Sequence, residues 1–269
     1  MEMIKLIASD LDGTLLLNKA QSLPEEIFPL IRQLKELGIM FVAASGRQYP
    51  NMTKLFAPVA SEISYISENG ALAVDRGEVL YQDSFDRKLA EKIISVIMAK
   101  KDAEFTCSAK DYHYLMPKTQ KFHDHMLYEV KNECRFVNSM DEMTDPIMKL
   151  AVFEPSGITD ESVKYWTGNF GKDCVVVTSG NEWIDFVPFG TNKAKGIREY
   201  QKRYHISPEE CVTFGDEYND IEMLKAVKYG FAMAHSKEGV RAAASYVTER
   251  VEPFLEKLIR AKGNIEEVI

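Results

Sequence analysis

Two acidic side chains follow an apolar segment near the start of the chain. Residues 3–7 are mostly apolar, and the sequence DLDGT at residues 10–14 then places Asp10 and Asp12 two positions apart. Taken alone, such a pair is more often a solvated turn or a calcium-like loop than an active site. A buried strand that ends in two acids still raises the question of a bound cation, so the rest of the chain has to be considered.

Three further polar clusters occupy comparable positions, each after a predicted buried strand or at the start of a predicted helix. They are Ser45-Gly46-Arg47, Lys193 and the sequence GDEYND at residues 215–220. In a parallel α/β sheet, the loops at the carboxyl ends of the strands converge on one crevice, where ligands bind. We therefore expect the four clusters to face a common cavity.

The acids of these clusters suit a metal ion. Asp10, Asp12 and Asp216 offer hard oxygen ligands, which Mg²⁺ prefers. Three acids packed together without a cation would have raised pKa values and would resist ionisation. The residues therefore predict a Mg²⁺ cofactor held by this set.

The remaining polar groups suit a phosphate. Ser45, the backbone amide of Gly46, Lys193 and Asn219 can donate hydrogen bonds to phosphate oxygens, and Lys193 adds a positive charge. A hard metal, a carboxylate nucleophile and phosphate donors are together what phosphoryl transfer requires.

The patterning of the chain supplies the sheet that this placement needs. Buried strands are predicted at residues 3–9 and 39–44 and near 65–66, with an amphipathic helix at 24–37 and a short helix near 50–57. A β-α-β-α-β series implies a parallel sheet with right-handed crossovers.

After residue 71 the pattern changes. A predicted hairpin over residues 71–81 is followed by several short strands interspersed with helices, and the helix–strand alternation returns only at Lys193. The sequence therefore predicts an α/β fold with a Rossmann-like parallel-sheet core, formed by residues 1–82 and 188–269, and an inserted α+β domain of residues 83–187.

Composition and charge limit the class of protein. The 269 residues carry a formal net charge of -8, which argues against a nucleic-acid partner because phosphate backbones require surplus Lys and Arg. We find no secretory signal or membrane-length apolar segment, and the four cysteines are scattered without a CxxC pair, as in reduced cytosolic proteins. We expect a cytoplasmic protein without a membrane partner, present as a monomer or weak homo-oligomer.

Taken together, the motifs resemble those of a known family. Residues 10–14, Ser45 after its strand, Lys193 and residues 215–220 are similar, in the same order, to the four motifs of the haloacid dehalogenase superfamily. The insertion after the third strand and the sequence ISENGA at residues 66–71 resemble the Cof-type sugar-phosphate phosphatases, which carry an α+β cap of class IIB at that place. The resemblance covers nearly the whole chain.

The resemblance implies a catalytic role for the paired acids. Asp10 is the nucleophile that becomes an aspartyl phosphate. Asp12 is the general acid for the leaving group and then the base for water, while its backbone carbonyl reaches the metal. An ATPase-type member would usually carry Thr at this second position, so Asp12 favours hydrolysis.

The resemblance also assigns the other motif residues. Asp216 is the further metal-binding acid, Ser45, Gly46 and Lys193 hold the phosphoryl group, Asn219 contacts it, and Asp220 supports the site from behind. The implied reaction is Mg²⁺-dependent hydrolysis of a small phosphorylated metabolite, in particular a sugar phosphate.

The residues leave alternatives at three places. Lys195, in the sequence TNKAKG, could take the role of Lys193, although the spacing from the preceding Pro and Gly favours Lys193. Arg47 is as consistent with a surface ion pair as with a substrate contact. Asn69-Gly70 is typical of a hairpin turn and is also compatible with a loop at the site.

Alternatives also remain for the function. A phosphomutase or phosphotransferase would use the same fold, and a receiver-like module also phosphorylates an aspartate, although receivers are far shorter. Polar residues of the insertion at 110–113 and 121–125 are candidates for substrate contact. His123 and His125 lie two positions apart and would point in different directions on a helix, so a solvated face explains them better than a metal site does.

Overall fold

The computed structural model describes residues 2–130, 132–178 and 181–269, which form two compact units. The first unit joins the chain up to Tyr81 to Asn192–Ile269, and the second is Gln82–Thr191. Gln82 and residues 188–191, assigned to the core from the sequence, lie in the second unit.

The first part of the chain forms alternating strands and helices. Helix α1 begins at Ile27 rather than at residue 24, so Pro29 falls in the first turn, where its missing N–H removes no helical hydrogen bond. A tight turn follows β4, with Arg76 and Gly77 both at positive φ. The elements are β1 Leu6–Ser9, α1 Ile27–Glu36, β2 Met40–Ala44, α2 Tyr49–Leu55, β3 Ser64–Ser67, β4 Leu72–Asp75 and β5 Glu78–Gln82.

The inserted unit has a sheet of its own. Its elements are α3 Arg87–Ala99, β6 Glu104–Ser108, β7 His113–Leu115, α4 Gln120–Asp124, β8 Cys134–Phe136, β9 Lys149–Phe153, α5 Asp160–Phe170, β10 Val175–Thr178 and β11 Trp183–Val187. The predicted single helix over residues 117–130 is α4 followed by a π-helical turn, His125–Val130.

The strand order of this second sheet is β10-β11-β9-β6-β7-β8, with mostly antiparallel pairs. Side chains of α3, α5 and the strands form a separate apolar core that includes Ile93, Phe105, Trp166 and Phe186.

The chain then returns to the first unit. One short strand, β14, was not predicted from the sequence. The elements are α6 Lys193–Tyr204, β12 Cys211–Gly215, α7 Ile221–Lys225, β13 Tyr229–Met233, α8 Glu238–Ala243, β14 Tyr246–Thr248 and α9 Glu252–Arg260.

The core sheet has the order β14-β13-β12-β1-β2-β3-β4-β5. Strand β1 pairs in parallel with both β2 and β12, so that Ser9 lies beside Ala43 on one side and Phe214 on the other. The two ends of the first unit also meet, because the Ile265 amide donates to the carbonyl of Glu2 over 3.1 Å. The α/β class with an inserted α+β unit is confirmed.

Within the described residues, the structure contains neither a membrane-length helix nor a disulfide. No helix there combines the length and apolar character needed to cross a bilayer. All four cysteines lie within these ranges, and each is a free thiol.

Candidate functional site

Parallel strand ends bring the predicted site residues to one edge of the core sheet. Asp10 follows β1, Ser45 follows β2 and Asp216 follows β12, while Lys193 is the first residue of α6. Since β1 lies between β2 and β12, the residues that leave these strands are neighbours.

Lys193 joins two carboxylates in the interior. Its Nζ donates to Asp10 Oδ1 over 2.5 Å and to Asp220 Oδ1 over 2.6 Å, and its side chain is only 1% exposed. Burial alone would lower the pKa of Lys193, but the attraction of Asp10 and Asp220 outweighs burial and raises this pKa. The ammonium is therefore held charged in the interior.

The carboxylates of Asp10, Asp216 and Asp220 gather around this ammonium. Each offers an oxygen within 4.8 Å of the others. Burial raises the pKa of Asp10 to about 8, the neighbouring acids Asp220 and Asp216 add to this rise, and Lys193 opposes it. Burial, and next the charge of Asp220, raise the pKa of Asp216 to about 6.

The charge of this cluster fits a divalent cation. Three ionised carboxylates and one ammonium sum to two negative charges in a largely buried place. Such an arrangement is costly unless a cation neutralises it. Carboxylate oxygens are the hard donors that Mg²⁺ takes, so the residues present fit the predicted metal.

Asp216 is held by the two residues that complete the DLDGT sequence. Thr14 Oγ1 donates to Asp216 Oδ1 over 3.3 Å. A Cβ on Gly13 would lie 2.1 Å from Asp216 Oδ2, and Gly13 has a φ of +87°. The absence of a side chain at Gly13 thus leaves room for Asp216 beside the end of β1, where Asp10 lies. The sequence contains Gly13 and Thr14 in the motif but did not assign them this contact with Asp216.

Asp220 contacts more of the site than its predicted supporting role requires. It is fully buried, and its Oδ2 accepts from the backbone amides of Asp216 and Glu217 over 3.0 and 3.1 Å while Oδ1 accepts from Lys193. This carboxylate therefore fixes both the loop after β12 and the lysine.

The Asp12 carboxylate contacts a different partner. Arg47 Nε and Nη2 donate to its two oxygens over 2.7 and 2.6 Å, and the Asp12 side chain is 56% exposed. The carboxylates that cluster are thus those of Asp10, Asp216 and Asp220, and Asp12 faces Arg47 nearer to solvent. Of the two options left open for Arg47, the structure shows an ion pair, and its partner is one of the predicted catalytic acids.

The predicted phosphate donors lie on adjoining turns. Ser45 is buried and its Oγ accepts from the Arg47 amide over 3.1 Å. Asn219 Nδ2 donates to Asn69 Oδ1 over 3.0 Å, and the same Asn69 oxygen lies 2.9 Å from the place of a Cβ on Gly46.

The geometry favours Lys193 over Lys195 as the ammonium at the site. Lys195 Nζ lies 4.9 Å from the centre of the Tyr81 ring, whereas Lys193 Nζ contacts Asp10 and Asp220 directly. The first turn of α6 thus directs the two lysines to different surroundings.

The histidines of the inserted unit have ordinary local partners. His123 Nδ1 lies 3.0 Å from Asp124 Oδ1, and His125 Nδ1 lies 3.0 Å from Glu129 Oε2, while the His125 ring stacks on Phe153. Within the parts of the chain that the structure describes, the only acid, His or Cys cluster suited to a metal is that of Asp10, Asp216 and Asp220.

Comparison with known proteins agrees with the fold and with the family resemblance of the sequence. Residues 7–252 match the family model of the haloacid dehalogenase-like hydrolases. The 5-amino-6-(5-phospho-D-ribitylamino)uracil phosphatase of Escherichia coli is 30% identical over 243 residues, which are 90% of this chain and 90% of that protein.

Solved structures show the same architecture. A protein of Eubacterium rectale superposes with a TM-score of 0.85 at 25% identity, covering 99% of this chain and 98% of its own. A subclass IIB sugar phosphatase of the haloacid dehalogenase superfamily shares the fold with a TM-score of 0.76 at 24% identity, covering 98% of this chain and 100% of its own. The resemblance seen in the sequence is confirmed, and the chain belongs to the haloacid dehalogenase-like hydrolase family.

Proposed function

We propose that this hydrolase is a Mg²⁺-dependent phosphatase that hydrolyses a small phosphorylated metabolite through an aspartyl phosphate on Asp10. The observation that carries the proposal is the buried ammonium of Lys193 between Asp10 and Asp220, with the Asp216 carboxylate within 4.8 Å of both acids. The arrangement combines a fixed nucleophile, a fixed positive charge and a cluster of metal-binding oxygens, which are the parts that phosphoryl transfer needs.

In the first step the Asp10 carboxylate attacks phosphorus and the bond to the leaving oxygen breaks. Lys193 fixes the orientation of Asp10 and offsets negative charge, because its Nζ already lies 2.5 Å from Asp10 Oδ1. Ser45, the Gly46 amide and Asn219 hold the phosphoryl oxygens. A Mg²⁺ ion held by Asp10, Asp216 and the Asp12 backbone carbonyl would supply Lewis-acid polarisation of the phosphoryl group.

Asp12 handles the proton in both steps. It donates a proton to the departing oxygen and then takes one from the water that hydrolyses the aspartyl phosphate. In the structure Arg47 holds both oxygens of Asp12, so Arg47 has to release at least one of them before the proton moves. The 56% exposed side chain of Asp12 leaves room for that change.

The relatives support a substrate class. The 30% identical Escherichia coli protein is a 5-amino-6-(5-phospho-D-ribitylamino)uracil phosphatase. We therefore propose a phosphate monoester of a sugar or a sugar-like polyol. Cytoplasmic location, the absence of nucleic-acid partners and a monomeric or weakly associated state rest on the sequence alone and stay predictions.

Phosphate release from p-nitrophenyl phosphate and a panel of sugar phosphates, with and without Mg²⁺, tests the activity. We expect turnover only with the metal and loss of turnover in Asp10→Asn. Borohydride reduction during turnover should convert the acyl phosphate at position 10 to homoserine, detectable by mass spectrometry. Full activity of Asp10→Asn would overturn the mechanism, and transfer of phosphate to an added sugar instead of water would identify a phosphotransferase.

A further inference from the structure

The loop that connects β3 to β4 is packed against the parts of the core that carry the predicted phosphate donors. It contains Glu68–Gly70, which forms a 3-10 turn with Glu68, Asn69 and Gly70 all at positive φ. Asn and Gly tolerate this left-handed conformation, so a turn of this shape explains the residue types but not the contacts that the side chain of Asn69 makes.

The backbone of this loop binds the turn after β2. The Asn69 amide donates to the Ser45 carbonyl over 3.1 Å, and the Glu68 amide donates to the Arg47 carbonyl over 3.1 Å. The loop therefore fixes the turn that carries the Ser45 hydroxyl and the Gly46 amide.

The same loop touches the start of α6. A Cβ on Gly70 would lie 2.1 Å from the carbonyl oxygen of Asn192 and 2.9 Å from the backbone nitrogen of Lys193. Tyr81 Oη donates to the Gly70 carbonyl over 2.6 Å and holds the peptide in this position. Glycine is thus required for the loop to approach the residue that carries the buried ammonium.

The side chain of Asn69 completes the set of contacts. Its Oδ1 accepts from Asn219 Nδ2 over 3.0 Å, and its carboxamide lies against the Cα of Gly46. Asn219 is an exposed residue of the turn Tyr218–Asp220, so its side chain would otherwise sample several rotamers. The hydrogen bond to Asn69 Oδ1 uses one N–H of the Asn219 side-chain carboxamide and leaves the other N–H for a ligand.

We propose that Asn69 is a positioning residue that orients the carboxamide of Asn219 for binding of the phosphoryl group. The inference rests on the proposed function, because it assigns Asn219 to the phosphate. Asn69 itself acts through its neighbours, and its effect is to reduce the conformational freedom that the phosphate-binding side chain loses on binding.

Replacement by glycine separates the side chain from the backbone conformation. Asn69→Gly keeps the positive φ and removes the carboxamide. We expect the inhibition constant of inorganic phosphate and the KM to rise roughly fivefold to tenfold, the effect of one lost neutral hydrogen bond, while kcat and the melting temperature change little. Asn18→Gly is the matched control, since Asn18 is an exposed Asn at a φ of 55°, and this variant should bind phosphate as the wild type does.

A double-variant comparison tests whether Asn69 acts through Asn219. Asn69→Gly combined with Asn219→Ala should bind phosphate no more weakly than Asn219→Ala alone. Unchanged phosphate affinity in Asn69→Gly, or effects that multiply in the double variant, would overturn the inference.

Calorimetric titration with inorganic phosphate in the presence of Mg²⁺ keeps this test separate from turnover. A wild-type chain that binds phosphate but shows no turnover contradicts the proposed hydrolysis and leaves the positioning test intact. A wild-type chain that turns over substrate while Asn69→Gly is unaltered contradicts the positioning inference alone.

Discussion

Arg47 gives Asp12 a partner that a general acid has to leave. Two nitrogens of the Arg47 guanidinium each hold one oxygen of the Asp12 carboxylate, so neither oxygen is free to contact a leaving group. In the proposed mechanism, substrate binding therefore exchanges this ion pair for contacts with the leaving group.

The first prediction concerns Asp12. Asp12→Asn removes the proposed proton donor and acceptor but keeps the backbone carbonyl, so kcat should fall by about 10²–10⁴-fold, which is typical for loss of general acid–base catalysis. Stabilisation by Mg²⁺ should remain, because the clustered carboxylates are unaltered. Steady-state kinetics and thermal melting measure the two effects.

Asp141→Asn serves as its control, since Asp141 is an exposed acid in a 3-10 turn of the inserted unit. This variant should retain wild-type kcat. An Asp12→Asn enzyme with wild-type kcat would show that another group moves the proton.

The second prediction concerns pH. The pKa of Asp10 is raised from 3.8 to about 8 and that of Asp216 from 3.8 to about 6. The metal-free folded protein therefore binds more protons than the unfolded chain between pH 3.8 and about pH 8. Its free energy of unfolding should therefore fall as the pH rises toward 8. A bound divalent cation replaces these protons, so stabilisation by Mg²⁺ should increase over the same range.

Melting temperatures with and without Mg²⁺ at about pH 6 and about pH 8 test this linkage. The increment due to Mg²⁺ should be larger at the higher pH in the wild type, and the pH dependence should weaken in Asp10→Asn. An increment that is equal at both pH values would contradict the assignment of these acids to the metal.

The sequence could predict which polar residues gather but not how they pair. Asp10, Lys193 and Asp216 were predicted together because each follows a parallel strand or begins a helix at one sheet edge. The Asp12–Arg47 and Asn219–Asn69 contacts depend on side-chain rotamers of loops far apart in the chain, and no periodicity reports those. The catalytic roles themselves stay predictions.

At the scale of elements, hydrophobic periodicity predicted the long segments and failed for short or irregular ones. Strand β14 has three residues, and its Val247 is 53% exposed, so neither a buried run nor an alternating pattern marks it. The segment after residue 117 has a helical composition, but the π-helical turn His125–Val130 changes its hydrogen bonding. Asn69-Gly70 proved compatible with both of its interpretations, since it joins the antiparallel strands β3 and β4 and also contacts the site.

The third prediction compares two glycines with similar backbone conformations. Gly70 and Gly77 have φ values of +99° and +93°. A Cβ on Gly70 would lie 2.1 Å from the Asn192 carbonyl oxygen, whereas a Cβ on Gly77 would have no atom within 4 Å. Gly77→Ala should cost about 1–3 kcal/mol of unfolding free energy through backbone strain alone. Gly70→Ala should cost about 1–3 kcal/mol more through the clash.

Urea unfolding of both variants measures this difference, and turnover of the folded Gly70→Ala protein measures displacement of Lys193. Phosphate affinity should decrease in Gly70→Ala and not in Gly77→Ala. Equal unfolding free energies for the two variants would mean that the Asn192 backbone moves away without cost.

At the scale of the whole molecule, each unit has its own apolar core. The cluster that contains Phe105 and Trp166 lies in the inserted unit, and the cluster that contains Leu6 and Val42 lies in the first unit. Both tryptophans of the chain, Trp166 and Trp183, belong to the inserted unit. Tryptophan fluorescence therefore reports the unfolding of that unit alone.

The fourth prediction uses this separation. Far-UV circular dichroism follows the helices of both units, so Mg²⁺ should shift part of the dichroism transition to higher temperature. The fluorescence transition should stay where it is, because the predicted metal-binding acids lie in the other unit. Equal shifts in both signals would instead show that the two units unfold as one cooperative body.

The position of β1 between β2 and β12 has a consequence for biosynthesis. Translation produces the inserted unit before β12 leaves the ribosome, so β1 has a partner on one side only until almost four-fifths of the 269 residues, up to Cys211–Gly215, have been made. The inserted unit can therefore complete its fold first. A circular permutant that starts at Asn192, links Ile269 to Glu2 and ends at Thr191 would encode the core as one uninterrupted stretch ahead of the inserted unit, because residues 2 and 265 already touch. Its refolding rate would measure how strongly the interruption delays closure of the sheet.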